Sequence, residues 1–135
     1  MRLALSLGQR GLGRVWPNPA VGCVIVKNET VIGRGWTQPG GRPHAEVHAL
    51  RQAGAKARGA TVYVTLEPCA HTGQSGPCAN ALVTAGVSCV VSATTDPDNR
   101  VAGKGHEILR QAGVAVREGV LGNQAFRDHL GFFNR

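Results

Sequence analysis

The apolar positions along the chain change period several times, and each change predicts an element. Leu3, Ala4 and Leu7 share one face at helical spacing, so residues 2–10 read as a short helix, broken by Gly8, Gly11 and Gly13. Trp16-Pro17-Asn18-Pro19 is a stiff loop, because each proline fixes its own φ and restricts the residue before it. Residues 20–27 are almost wholly apolar and β-branched, the pattern of a strand buried on both faces. Asn28-Glu29 is the turn of a hairpin, and 30–37 is its returning strand, with Gly33 and Gly35 leaving room for close backbone approach. Pro43 then opens a helix that runs on Ala45, Val47, Ala49, Leu50 and Ala53 to Gly54, placing His44 and Glu46 in its first turn.

The second half alternates regularly. Strands are predicted at 61–66, 87–93 and 114–117, with helices at 78–85, 106–112 and 123–130, and polar loops at 67–76 and 94–105. Strands separated by short helices require crossover connections, which give largely parallel pairing and helices on both faces of the sheet. The reading is therefore an α/β fold, with residues 1–135 as one domain, free of internal repeats and low-complexity tracts.

Composition narrows the class. Apolar residues make up 42% and charged residues 17%, which fits a packed core and not a disordered chain. No apolar run reaches the roughly 20 residues that span a bilayer, and the brief apolar start lacks a longer hydrophobic region or a small-residue cleavage site. A cytoplasmic protein with no membrane partner is expected. The net charge of +7 favours anionic partners, such as a phosphorylated small molecule or nucleic acid, although Lys and Arg are scattered and form no dense run.

The chemistry sits in a few residues. The four cysteines, at 23, 69, 78 and 89, contain no C-x-x-C pair, and without a secretion signal a disulfide framework is not expected. Cys23 and Cys89 lie inside apolar runs and read as small core residues. Cys69 and Cys78 each follow a proline in loop-like sequence, a poor place for core and a good one for a metal ligand. With His44 they make three ligands, the number a catalytic zinc takes when it keeps its fourth position for water. Glu46, two residues from His44, is placed to shuttle protons to and from that water. The order H-x-E, P-C, C is the pattern of zinc-dependent nucleobase deaminases. Two other readings remain beside it: a structural zinc with His71 as fourth ligand, and no metal at all, with both cysteines packing. His48, His106 and His129 read as surface or helix-face residues.

Five stretches in combination carry a closer resemblance: P-N-P-A-V-G-C-V-I-V (17–26), H-A-E-V-H-A-L (44–50), G-A-T-V-Y-V-T-L-E-P-C-A-H (59–71), P-C (77–78) and D-P-D-N-R-V-A-G-K-G (96–105). Together they resemble the deaminase domain of the bacterial riboflavin-biosynthesis bifunctional deaminase/reductase family, across essentially the whole chain. Eight residues separate Cys69 from Cys78, whereas two is typical of the broader nucleobase deaminases. The resemblance implies a cytidine-deaminase-like three-layer α/β/α sandwich around a five-stranded mixed sheet. It implies zinc-dependent hydrolytic deamination of 2,5-diamino-6-ribosylamino-4(3H)-pyrimidinone 5′-phosphate, with a zinc-activated water as nucleophile. It assigns metal binding to His44, Cys69 and Cys78, proton transfer to Glu46, and substrate contact to Asn18 and His71. It also implies a homo-oligomer, a dimer or more, and does not favour a nucleic-acid partner.

The chain departs from that family at Gln74, where a basic residue is usual before the second cysteine, at Thr37, where many members have His, and at Asp98, where the family has Asn. These departures bear on phosphate recognition and leave the zinc residues intact; Lys104 or Arg100 offers a replacement cation. A deaminase of another base (cytidine or tRNA adenosine) and a non-catalytic zinc-bearing binding module are the alternatives. The chain fits either a stand-alone deaminase or part of a longer chain that continues into a C-terminal reductase domain.

Overall fold

Five strands build the sheet of this computed structural model, which describes residues 1–15, 19–41, 43–70, 78–95 and 102–129. In chain order the elements are α1 (Arg2–Gln9), β1 (Gly22–Lys27), β2 (Thr30–Trp36), α2 (Ala45–Ala53), β3 (Thr61–Val64), α3 (Cys78–Ala85), β4 (Cys89–Ser92), α4 (Lys104–Gln111), β5 (Ala115–Arg117) and α5 (Gly122–Asp128). The strands lie in the order β2-β1-β3-β4-β5. β1 is antiparallel to both β2 and β3, while β3, β4 and β5 are parallel, so the sheet is mixed. The expectation of largely parallel pairing holds for that second half only. The first strand of the hairpin sits between β2 and β3, and the chain crosses over it through α2.

The Asn28-Glu29 turn joins Lys27 to its partner Thr30, and both turn residues have positive φ (51° and 65°). That backbone matches the right-handed twist of the flanking strands. A bulge between Ile25 and Val26 leaves Ile32 of β2 as the extra residue.

Handedness explains the layers. The path β2-α2-β3-α3-β4-α4-β5 advances across the sheet in one direction, and right-handed crossovers then put all three helices on one face. There Cys23, Ile25, Val62, Val64 and Val90 from the strands meet Ala45, Ala49, Ala79, Leu82 and Leu109 from the helices in the main core. The two outer helices cover the opposite face. Ala4 and Leu7 of α1 pack on Val24, and Leu5 meets Ala93 and Ala125 of α5. Side chains alternate across β1, and its first four residues are buried, as a strand covered on both faces requires.

Two contacts seat helices on strands at backbone distance. A Cβ at Gly33 or Gly35 would run into the carbonyls of Ala49 and Ala45, so these glycines let α2 lie directly on β2. The start of α2 is thereby fixed against the sheet. Among the described residues no helix is long and apolar enough to cross a membrane.

Candidate metal centre and active site

Three segments bring the site together at one end of the sheet. His44 is the N-cap of α2, with extended backbone (φ −67°, ψ 161°) and no side-chain bond to its own helix, so its ring is turned to other partners. The helix thus begins two residues later than the sequence suggests, and Pro43 stands outside it. Cys69 lies past the end of β3, on a run tied by backbone bonds from Thr65 to Gly22 and from Glu67 to Thr94. Cys78 opens α3, where its amide donates to Cys69 Sγ (3.2 Å) and the amide of Ala79 donates to the Cys69 carbonyl (3.1 Å).

His44 Nδ1 stands 3.3 Å from Cys78 Sγ and 3.9 Å from Cys69 Sγ, and the three donor atoms all lie within 4.8 Å of one another. Zinc bonds of about 2.3 Å to sulfur and 2.0–2.1 Å to nitrogen put tetrahedral ligand atoms roughly 3.5–3.8 Å apart. The donor set, two sulfurs and an imidazole, and its spacing therefore fit a zinc ion. Among the described residues three protein donors converge, the number that leaves a catalytic zinc a fourth position for water.

The protonation pattern fits a cation as well. The Cys78 thiol donates to Cys69 and holds the Cys69 thiol down near pKa 4, with further help from His44. The same bond, and then burial, pushes Cys78 up. A divalent cation held here would need both sulfurs as thiolates.

Glu46 is in the first turn of α2 and only 4% exposed. Burial raises its pKa to about 7, the charge of Cys69 adds to the rise, and its own backbone N–H and His44 oppose it. A carboxyl poised near neutrality can both take and give a proton. Cys23 lies beneath, wholly buried in β1; burial, then Glu46, keeps its thiol protonated. Cys89 is half-buried, on β4.

Asn18 and His71, assigned to substrate by the resemblance, lie outside the described residues, as do Gln74, Asp98 and Arg100. Thr37 is described. Its hydroxyl accepts from Val21 N and donates to the Pro19 carbonyl (3.0 Å each), so it fastens the segment after Asn18 to the end of β2. Lys104 is exposed at the start of α4.

Two histidines differ from the surface reading. His106 is wholly buried, with Nε2 2.7 Å from Ser92 Oγ and Nδ1 3.2 Å from Glu118 and 3.6 Å from Glu67. His129 is buried too, with Nε2 3.3 Å from the Thr65 carbonyl. His48 is half-buried on α2, edge-on to Trp36 with ring centres 5.0 Å apart. Sequence reasoning also gave Glu67 no role. Its carboxylate is buried and accepts the amides of Gly103 (2.9 Å) and His106 (3.2 Å). The available signal was a charged residue at the end of a buried strand, directly before Pro68-Cys69.

Known proteins resemble this chain. Residues 1–94 match the family model of the cytidine and deoxycytidylate deaminase zinc-binding region. The riboflavin biosynthesis protein RibD of Escherichia coli is 53% identical over the whole chain, which spans 37% of that protein's length. The diaminohydroxyphosphoribosylamino-pyrimidine deaminase of Buchnera aphidicola (subsp. Acyrthosiphon pisum) is 44% identical over the whole chain and 92% of its own length. The solved structure of Acinetobacter baumannii RibD superposes with a TM-score of 0.95 at 53% identity, over 98% of this chain and 38% of that one. The chain belongs to the cytidine and deoxycytidylate deaminase family, among the diaminohydroxyphosphoribosylamino-pyrimidine deaminases.

Proposed function

We propose that the protein hydrolytically deaminates 2,5-diamino-6-ribosylamino-4(3H)-pyrimidinone 5′-phosphate, a step of riboflavin biosynthesis. The observation that carries the chemistry is the convergence of His44, Cys69 and Cys78 beside the buried carboxyl of Glu46. Substrate identity is supported by the relative of nearly equal length, whose name states that activity. His44, Cys69 and Cys78 would hold zinc, which when bound lowers the pKa of water towards about 7 and offers it as a nucleophile.

The chain's own groups do the rest. Glu46 accepts a proton from the attacking water, whose oxygen bonds to the ring carbon that carries the amino group. Glu46 passes that proton to the ring nitrogen, takes the second proton from the newly bonded hydroxyl, and hands it to the departing amine. The C–N bond breaks, a carbonyl replaces the amine, and ammonia leaves. Burial of Glu46 keeps it from trading that proton with solvent. Asn18 and His71 contact the substrate in this reading. Residues 1–135 act as one deaminase domain, in the cytoplasm, as a dimer or larger assembly, and the greater length of the E. coli relative leaves room for a C-terminal reductase domain in a parent chain.

The test is a substrate panel with zinc-loaded protein: the phosphorylated diaminopyrimidine, its dephosphorylated form, cytidine and tRNA, each assayed for ammonia. Turnover of the phosphorylated pyrimidine at least about a hundredfold above the others is expected. Turnover of cytidine or tRNA in its place would overturn the substrate assignment and leave the deaminase chemistry standing.

A further inference from the structure

We infer that Glu67 is a positioning residue for the metal ligand Cys69, acting by clamping the ligand-bearing run to α4 and to the end of β4. Past Val64 this run leaves the sheet ladder, yet Cys69 must be held to a fraction of an ångström to ligate. Glu67 supplies three of the ties. Its amide donates to the Thr94 carbonyl (2.9 Å), where the chain leaves β4. Its two carboxylate oxygens take the amides of Gly103 and His106 at the start of α4. These amides are among those that a helix start leaves without a backbone partner, and a buried carboxylate satisfies them with charge-assisted bonds.

The next residue continues the clamp. Gly105 packs on the Pro68 carbonyl so closely that a Cβ there would overlap the oxygen. Cys69 follows immediately. The path from α4 to the ligand is thus two residues long and passes through buried, backbone-anchored atoms. His106 locks the helix from below through Ser92, on the far side of its ring from the two carboxylates.

Gln at position 67 keeps the shape but breaks the clamp. Its amide oxygen can accept one of the two N–H groups, and its NH2 meets the other donor head-on. Gly105→Ala forces the same joint open from the helix side with Glu67 intact, even though Ala favours helix over Gly. Ser92→Ala serves as the control. It removes the Ser92 contact of the His106 ring and takes away none of the three Glu67 bonds or the Gly105–Pro68 contact.

The experiment measures zinc release to a chromogenic chelator, and the thiolate charge-transfer band of the cobalt-substituted protein, beside thermal unfolding. Outer-sphere partners of metal ligands typically set affinity by 10–100-fold. Glu67→Gln and Gly105→Ala are expected to release zinc at least about tenfold faster, with a shifted or weakened cobalt band. Ser92→Ala is expected to melt lower with native release and a native band. A folded Glu67→Gln or Gly105→Ala protein with native release and spectrum would overturn the inference, whatever its melting temperature. The inference rests on the zinc-centre reading, and a native chain that takes up no zinc would overturn both together.

Discussion

In the proposed reaction Glu46 is the residue that moves the protons. It is buried beside two sulfurs, and its carboxyl is raised to about 7, chiefly by burial. Glu46→Gln keeps the volume and removes the proton acceptor. Turnover should fall at least about a hundredfold, the lower range for general acid–base groups, while metal analysis still finds one zinc per chain. A variant retaining a tenth of native activity would remove Glu46 from the reaction. Cys69→Ser should behave oppositely, losing the metal itself, because a neutral hydroxyl replaces a thiolate donor. The residues of this constellation were legible in the sequence, since His44, Glu46, Cys69 and Cys78 stand in a fixed order with prolines before both cysteines. The residues that support them were not. Glu67, His106 and His129 are buried polar groups that meet partners up to 64 positions away, and a hydrophobic pattern carries no information about such pairs.

At the scale of elements, α2 and α1 owe their positions to missing side chains. α2 reaches β2 through Gly33 and Gly35, which were readable as points of close approach. α1 reaches β1 through Gly22, where a Cβ would overlap the Ala4 carbonyl oxygen. Gly22→Ala must push α1 from the sheet, and about 1–3 kcal/mol of destabilisation is expected from such overpacking. Chemical unfolding would register it, and a midpoint within error of native would show that α1 can shift freely. The element types were legible throughout, because α3 and the strands follow strong apolar runs. Boundaries moved by one or two residues where capping decides them. Pro43 suits a first helical turn, yet His44 adopts extended backbone and the helix starts after it. The insertion of β1 between β2 and β3 was not legible, since apolar spacing does not say which strand of a hairpin faces the rest of the sheet.

For the whole molecule, the buried His106 links stability to pH. Burial lowers its pKa, partly offset by Glu67 and Glu118 and reinforced by Arg110. The folded state thus favours the neutral ring, while the unfolded chain takes up a proton below the ordinary value of about 6.5. Stability is present above that pH and is lost as pH falls through it. Between pH 7.5 and 5.5 the urea midpoint of the native chain should drop more than that of His106→Gln, and parallel profiles would contradict the linkage. The same architecture gathers His44, Cys69 and Cys78 from the start of α2, the exit of β3 and the start of α3, and that convergence is the centre of this account. Its most direct test is ammonia release from the phosphorylated diaminopyrimidine by native protein, by protein stripped with a chelator, and by stripped protein given one equivalent of zinc. The account predicts turnover, its loss on stripping and its return with zinc. Undiminished turnover by the fully stripped protein would contradict it.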